Sequence, residues 1–329
     1  MVGGNNSSEK VDLLVYGPHK PIVSNGFSDQ FVLHPFETTG DLERLTSAVA
    51  ERIRGIAITY NSVRGDAKTL TRFPKLEIVS TFGVGYDHVD ANYAREHDIM
   101  VTNTPDVLTE EVADLALGLL ISTLREFVKA DRYIRESNWT RRSFPLSPGS
   151  LRDRKVGMVG MGRIGQAIAR RLEASLVPVV YHTRNPVAGL SYQHYPDLME
   201  MVKAVDTLVL ILPGGPSTTK MINAEVMKAL GPRGVIINVA RGTVVDEQAL
   251  IAALKSGTIL AAGLDVFEKE PNVPDELKAL PNVVLLPHIG SASVVTRNAM
   301  DQLVVDNLKA WFAGKPPISP VAETPAKSR

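Results

Sequence analysis

The stretch that decides the fold is Val156-Gly157-Met158-Val159-Gly160-Met161-Gly162-Arg163-Ile164-Gly165. Gly160, Gly162 and Gly165 form a G-x-G-x-x-G pattern. The first glycine permits a tight turn, the second lets backbone approach a pyrophosphate, and the third lets a helix pack on a strand. The pattern predicts a strand over Val156–Gly160 and a helix over Arg163–Glu173, whose N-terminus favours negative charge. The whole turn, with Met161, Arg163 and Ile164, is therefore predicted to bind a dinucleotide.

The end of the next predicted strand, Val177–Tyr181, bears on the choice of dinucleotide. An NAD site commonly carries Asp or Glu about 20 residues beyond the turn, where it holds the ribose 2′-hydroxyl. The sequence here is Tyr181-His182-Thr183-Arg184-Asn185, which has no carboxylate. Arg184 would pair with a 2′-phosphate and Thr183 would donate a hydrogen bond to it. This favours NADP(H), with NAD(H) still possible, whereas a solvated loop arginine is the alternative interpretation of Arg184.

Apolar runs alternate with helical patterns on both sides of the glycine turn, which predicts parallel sheets covered by helices. Before residue 105 the pattern predicts one small α/β unit with strands at Val11–Tyr16, near Phe31, and at Ile56–Thr59, Leu76–Ser80 and Ile99–Thr102, and helices at Leu42–Arg54, Asp66–Thr71 and Val89–His97. After Asn103-Thr104-Pro105, a long helix is predicted from Glu110 to Ser137, with Thr109 as its N-cap.

From Lys155 onward, six strands with intervening helices match the count of a full dinucleotide-binding sheet. They are predicted at Val156–Gly160, Val177–Tyr181, Thr207–Leu212, Val235–Val239, Ile259–Leu264 and Val283–Leu286. A last helix is predicted over Ser291–Phe312. The polar first ten residues and the proline-rich stretch from Lys315 to Arg329 are predicted to be a disordered start and a loose tail.

Three polar residues follow the predicted ends of three strands: Arg241, Glu270 and His288. Ligands of a doubly wound sheet bind at the carboxyl ends of its strands, so these residues are expected to converge beside the nicotinamide. Reduction of a 2-keto acid needs a hydride, a proton and a cation for the carboxylate. His288 is suited to deliver the proton, Glu270 to orient the imidazole and favour its charged form, and Arg241 to bind the carboxylate or keto oxygen. Each residue alone has a plainer structural interpretation, and the combination carries the hypothesis.

Composition narrows the remaining classes of function. The 329 residues include 36 basic and 36 acidic side chains, so no basic surplus indicates nucleic-acid binding. Cysteine is absent, which excludes disulfides, thiolate metal sites and cysteine nucleophiles; no metal site is predicted, and a reducing cytoplasm is the expected location. The N-terminus is unlike a signal peptide, and the apolar run around Leu115–Leu124 is too short to cross a bilayer, so no membrane association is expected.

These motifs resemble the D-2-hydroxyacid dehydrogenase family, and within it the glyoxylate/hydroxypyruvate reductases. The resemblance covers about residues 75 to 300. The matching segments are Gly83-Val84-Gly85-Tyr86-Asp87, Asn103-Thr104-Pro105, Val112-Ala113-Asp114, the glycine turn, Asn238-Val239-Ala240-Arg241-Gly242, Gly263-Leu264-Asp265-Val266-Phe267 through Glu270-Pro271, and Leu286-Pro287-His288-Ile289-Gly290.

The resemblance implies two Rossmann-like doubly wound domains. A discontinuous, flavodoxin-like substrate domain would span residues 1–101 and 290–329, and an inserted dinucleotide-binding domain would span residues 102–289. It also implies a homodimer joined through residues 110–150, with Trp139 reaching the partner's active site; a plain interface aromatic is the alternative for Trp139.

The same resemblance implies roles for particular residues. Arg241, Glu270 and His288 would be catalytic, and the backbone amides of Val84 and Gly85 would hold the substrate carboxylate. Asp265 would bind the nicotinamide carboxamide. Further cofactor contacts are implied at Thr109, Leu212, Pro213, Val239, Ala240, His288 and Gly290.

The predicted function is therefore a reductase of glyoxylate or hydroxypyruvate that prefers NADPH. One alternative is a reductase of a bulkier acid such as hydroxyphenylpyruvate, because Tyr60-Asn61-Ser62 in the N-terminal loop shows no diagnostic pattern for the substrate side chain. A second alternative is a corepressor-like protein that senses NAD(P) and binds the cofactor without efficient turnover. A formate dehydrogenase is disfavoured because that branch carries glutamine where Glu270 stands.

Overall fold

Apolar runs near the N-terminus form the parallel strands of a first sheet in the computed structural model, which describes residues 10–18, 20–27, 29–60 and 63–326. The chain divides into two compact units, Met1–Leu108 with Ser293–Arg329, and Thr109–Ala292. Residues 102–108 thus belong to the first unit, and residues 290–292 to the second, unlike the boundaries expected from the sequence. The predicted disorder of the N-terminus concerns residues that lie, except for Lys10, outside the described ones.

The first unit is built on a five-stranded parallel sheet in the order β2-β1-β3-β4-β5, which is the flavodoxin-like order. Its strands are β1 (Val11–Tyr16), β2 (Phe31–Phe36), β3 (Ile53–Ile58), β4 (Ile78–Thr81) and β5 (Met100–Thr102). Its helices are α1 (Pro21–Gly26), α2 (Thr39–Leu42), α3 (Ser47–Ala50), α4 (Ala67–Leu70), α5 (Ala91–Glu96) and a C-terminal helix (Val294–Phe312). β1, β3 and β4 are almost completely buried, since helices cover both faces of a parallel sheet.

The second unit contains a seven-stranded sheet in the order β12-β11-β10-β9-β6-β7-β8. Its strands are β6 (Val156–Val159), β7 (Val179–His182), β8 (Gln193–Tyr195), β9 (Thr207–Leu210), β10 (Val235–Asn238), β11 (Ala261–Leu264) and β12 (Val283–Leu285). Its helices are α6 (Thr109–Arg125), α7 (Phe127–Arg135), α8 (Arg163–Ala174), α9 (Leu198–Lys203), α10 (Ala224–Leu230), α11 (Glu247–Ser256) and α12 (Asp275–Lys278). The strand order reverses between β6 and β9, where doubly wound folds bind their ligands.

Several local predictions were wrong for identifiable reasons. The helix predicted over Leu42–Arg54 is replaced by α2, α3 and the start of β3. The long helix ends at Arg125 because Glu126 adopts a left-handed backbone, with φ of 54°, and a second helix then runs only to Arg135. Thr109 is the first residue of α6 rather than its N-cap. The short strand β8 was missed.

The C-terminal stretch is packed, against the expectation of a loose tail. Pro320 pairs with Thr102 in an antiparallel bridge, and the Val321 amide donates to the Val101 carbonyl at 3.0 Å. Val321 and Thr324 are buried. The free edge of β5 supplies backbone partners that a sequence pattern cannot reveal.

Candidate active site

The glycine turn follows β6 and is closed by direct backbone contact with the end of β9. Gly160 has φ of +102°, and a Cβ there would stand 2.1 Å from the Ile211 carbonyl oxygen. A Cβ on Gly165 would stand 2.7 Å from the Gly160 carbonyl oxygen, so this glycine lets α8 pack closely on the strand. A Cβ on Gly162 would meet nothing within 4 Å. Only Gly162 therefore opens onto free space at the N-terminus of α8.

That free space fits a pyrophosphate. Gly162 is the N-cap of α8 and supplies no side chain to the helix's free N–H groups, which leaves them for an anion. Arg163 is exposed and Ile164 half-buried, whereas Met161 is buried, so only the Met161 backbone is available to a ligand. Thr109 and Leu212 are half-buried, and Pro213 is exposed. The residues present fit the dinucleotide that the turn predicts.

Beyond β7, Arg184 is exposed and takes part in none of the ion pairs or side-chain hydrogen bonds found among the described residues. The Thr183 hydroxyl donates to the carbonyl of Asn185 at 2.6 Å, so it shapes the loop that carries Arg184. Its predicted donation to a 2′-phosphate stays a prediction, because its proton is engaged within the loop here.

Glu270 and His288 come together in a direct hydrogen bond. His288 Nδ1 lies 2.7 Å from Glu270 Oε2, while Glu270 Oε1 accepts from the Phe267 amide at 3.0 Å. Burial raises the pKa of Glu270, but the hydrogen bond and charge of His288 outweigh it, and the pKa lies below its ordinary value. Glu270 is thus a carboxylate at neutral pH and accepts the hydrogen bond from His288 Nδ1.

The backbone around His288 is held in an unusual conformation by Asp265. His288 has φ of 54°, in the left-handed region. The next two amides, of Ile289 and Gly290, donate to the two carboxylate oxygens of Asp265 at 2.7 and 2.8 Å. Burial raises the pKa of Asp265 despite these hydrogen bonds. Asp265 therefore orients the loop that carries His288, and its predicted contact with a carboxamide stays a prediction.

Arg241 is placed by residues to which the sequence assigned no role. Asn238 accepts from the Ala240 amide and donates to the Arg241 carbonyl, both at 3.0 Å, and so shapes the turn after β10. A Cβ on Gly214 would stand 2.9 Å from Arg241 Cγ, so the arginine stem lies against this glycine. The charge of Arg241 also lowers the pKa of Glu270. The guanidinium is thus near the Glu270–His288 pair, whereas the side chains of Val239 and Ala240 are buried.

Gly242 joins the turn of Arg241 to the loop of Glu270. A Cβ on Gly242 would overlap the backbone, at 1.8 Å from the carbonyl carbon of Phe267 and 2.4 Å from the amide of Glu268. The Glu268 amide in turn donates to Glu247 at 3.3 Å. The glycine that follows Arg241 in the sequence could have indicated this contact, because such a close approach of two backbones needs a residue without Cβ.

The loop of residues 83–86, hereafter the amide loop, belongs to the first unit. The Gly83 amide donates to the Thr104 hydroxyl, and the Asn103 side-chain amide donates to the Val84 carbonyl, both at 2.8 Å. Within the described part of the chain, the backbone N–H groups of Val84 and Gly85 make no hydrogen bond. Two adjacent free amides suit a carboxylate.

Comparison with known proteins identifies the family of this chain. Residues 117–290 match the family model of the D-isomer specific 2-hydroxyacid dehydrogenase, NAD binding domain. Glyoxylate/hydroxypyruvate reductase A HPR2 of Arabidopsis thaliana is 44% identical over 313 residues, which are 95% of this chain and 99% of the relative. The chain belongs to the D-isomer-specific 2-hydroxyacid dehydrogenases.

Two further relatives of this dehydrogenase bear on its substrate. Hydroxyphenylpyruvate reductase of Plectranthus scutellarioides is also 44% identical, over 95% of this chain and 99% of the relative. The crystal structure of an NADPH-dependent glyoxylate/hydroxypyruvate reductase from Sinorhizobium meliloti, in complex with NADP and malonate, matches with a TM-score of 0.93 and 53% identity, over 98% of this chain and 99% of that one.

The dehydrogenase shows two further properties. No helix in the described ranges combines the length and apolarity needed to cross a membrane. Where the structure describes the chain, no group of three or more His, Asp or Glu side chains is placed to hold a metal ion.

Proposed function

We propose that this dehydrogenase reduces small 2-keto acids, glyoxylate and hydroxypyruvate, to D-2-hydroxy acids with NADPH. The observation that carries the proposal is the 2.7 Å contact between His288 and Glu270, with Arg241 nearby, at the carboxyl ends of the strands of a dinucleotide-binding sheet. The Sinorhizobium meliloti relative, at 53% identity, supports the choice of substrate and cofactor.

The protein's part in the reaction follows from this placement. NADPH, when bound, would supply the hydride. His288 would donate its proton to the developing alkoxide, and Glu270 would hold the ring in place through its hydrogen bond to Nδ1. Arg241 would bind the substrate carboxylate or keto oxygen through its planar fork. The free amides of Val84 and Gly85 would also bind the carboxylate, which orients the substrate.

The preference for NADPH rests on the loop after β7. Arg184 is exposed, and no carboxylate lies in residues 181–185 to repel a 2′-phosphate or to hold a 2′-hydroxyl. A guanidinium pairs well with phosphate. NADH would bind more weakly because it cannot use this charge.

A homodimer is part of the proposal. Five large apolar side chains between residues 127 and 146 are at least half exposed, and we propose that a second copy of the chain covers them. They are Phe127, Val128, Ile134, Trp139 and Leu146. Phe127→Asp should give a monomer by sedimentation, whereas Leu176→Asp, at an exposed leucine elsewhere, should not. A monomeric wild-type protein would contradict the proposal. The approach of Trp139 to the partner's active site and the cytoplasmic location stay predictions.

A second candidate substrate is hydroxyphenylpyruvate, because a relative with that activity is as similar as the first one. The experiment that separates the candidates measures kcat/KM for glyoxylate, hydroxypyruvate and hydroxyphenylpyruvate with NADPH and with NADH. We expect the two small acids with NADPH to give the highest values. A clear preference for the aromatic acid would replace the substrate assignment. NADPH binding without turnover of any of them would favour a cofactor-sensing protein.

A further inference from the structure

The C-terminal segment, residues 316–324, reaches the amide loop at two places. It contacts Tyr86 directly, and it supports Val84 through Asn103. Asn103, which binds the Val84 carbonyl, is itself held by Ser319. The Asn103 amide donates to the Ser319 carbonyl at 3.2 Å, and the Ser319 hydroxyl donates to the Asn103 carbonyl at 2.7 Å. The backbone of Asn103 is thereby paired on both its polar groups. Its side chain is left to hold Val84.

Ser319 is fixed from the other side by Asn307 of the C-terminal helix. Asn307 Nδ2 donates to the Ser319 hydroxyl at 2.9 Å, and Asn307 Oδ1 accepts from the amides of Ile318 and Ser319 at 2.9 and 3.1 Å. Asn307 is fully buried and Ser319 is only 9% exposed. Buried polar groups that are all satisfied form a rigid chain, because losing any one bond leaves its partner unpaired.

A second contact reaches the far end of the amide loop. The Tyr86 hydroxyl donates to Glu323 Oε2 at 2.9 Å. The next residue, Thr324, accepts from the Val101 amide at 2.9 Å and so anchors the segment to β5. Burial and the charge of Glu323 raise the pKa of Tyr86 to about 12, so its hydroxyl remains a donor throughout the ordinary pH range.

We propose that the C-terminal segment positions the amide loop for its anionic ligand, with Ser319 acting through Asn103 and Glu323 through Tyr86. The inference rests on the proposed function, in which the Val84 and Gly85 amides bind the substrate carboxylate. Donors that stabilise an anion must be held to within about 0.5 Å of the productive geometry. A glycine-containing loop does not hold itself that closely. Thr104 holds Gly83, whereas the contacts at Val84 and Tyr86 depend on the C-terminal segment, the first through Asn103 and the second directly.

The test uses Glu323→Ala and Ser319→Ala, with Glu323→Gln as the conservative variant and Glu96→Ala as a control at an exposed glutamate of the same unit. KM for glyoxylate should rise about tenfold in both alanine variants, with kcat within about twofold and NADPH affinity unchanged, because only carboxylate binding is loosened. Glu323→Gln still accepts from Tyr86 and should restore KM. Tyr86→Phe should reproduce Glu323→Ala.

Oxalate, a dicarboxylate that the enzyme cannot reduce, gives a readout that does not depend on turnover. Calorimetry should show about tenfold weaker oxalate binding in the two alanine variants. Unchanged oxalate affinity and KM would overturn the positioning role, as would a lower melting temperature with no change in KM. If wild-type protein binds oxalate but reduces no keto acid, the proposed function fails, while weaker oxalate binding in the variants still supports the positioning role of the C-terminal segment. If the wild type neither binds oxalate nor turns over, both proposals fail.

Discussion

Replacement of Gly162 by alanine should weaken cofactor binding at the glycine turn without destabilising the fold. The added Cβ would meet no atom within 4 Å, and the backbone at φ of −71° and ψ of −168° accepts an alanine. Alanine is a poorer N-cap than glycine by about 0.5 kcal/mol, while restricting the unfolded chain returns about 0.4–1 kcal/mol. The free energy of unfolding should therefore change by no more than about 0.5 kcal/mol.

Binding of NADPH should respond quite differently. The new methyl group stands where backbone approaches the pyrophosphate, so at least one charge-assisted hydrogen bond is lost or lengthened. Such a bond contributes about 2 kcal/mol, which corresponds to a roughly 30-fold loss of affinity. Fluorescence titration with NADPH measures the affinity, and chemical denaturation of the ligand-free protein measures the stability.

Gly160→Ala is the contrasting variant. Its Cβ would stand 2.1 Å from the Ile211 carbonyl oxygen at a φ of +102°, so both the contact and the backbone are strained. We expect a loss of about 3 kcal/mol in the free energy of unfolding. If Gly162→Ala binds NADPH as the wild type does, the pyrophosphate does not lie at this turn. If Gly160→Ala is as stable as wild type, the close approach to β9 is wrong.

Three other predictions concern charge. Arg184→Ala should raise KM for NADPH about tenfold and leave KM for NADH nearly unchanged in initial-rate assays; equal effects would mean that Arg184 meets no 2′-phosphate. Glu270→Gln removes the carboxylate that accepts from His288 Nδ1 at 2.7 Å and orients the ring, so kcat for glyoxylate should fall about tenfold while NADPH affinity stays unchanged, and an unchanged kcat would contradict this role of Glu270. The Lys20 ammonium lies 2.9 Å from Asp301 and against the Phe82 ring, so Asp301→Ala leaves this half-buried charge without its counter-charge. The free energy of unfolding at neutral pH, measured by chemical denaturation, should fall by about 3 kcal/mol. A fall of less than about 1 kcal/mol would show that water replaces the carboxylate.

The glycine turn was predictable because its geometry is local. A strand, a tight turn and a helix are specified within ten residues, and the structure confirms the fold class built on them. The predicted strand count of this sheet was one too low. The six predicted strands omit β8, whose three residues Gln193-His194-Tyr195 are too short and too polar to form an apolar run, and the sheet has seven strands.

Long-range pairing explains the other differences. The prolines after Lys315 indicate a loose tail when the local sequence is considered alone, yet the edge of β5 and the side chain of Asn307 provide partners more than ten residues away. The helix break at Glu126 has no glycine or proline to announce it. Local propensity cannot report a left-handed residue that tertiary packing imposes.

In the candidate site, too, some features could be predicted from the local sequence and others depend on long-range contacts. The identities of Arg241, Glu270 and His288 followed from their places after strands. The groups that orient them did not, because Asp265 acts on amides 24 and 25 residues away and Gly242 on a peptide of another loop. Such contacts exist only once the strands are side by side.

The most direct test of the central claim compares wild type with His288→Ala. Loss of NADPH absorbance is followed on adding glyoxylate, and NADPH affinity is measured by titration. Wild type should turn over, and the variant should lose about 10³-fold in kcat while binding NADPH almost as before, because a general acid contributes a factor of this order. Turnover that survives in the variant would show that the proton comes from another group.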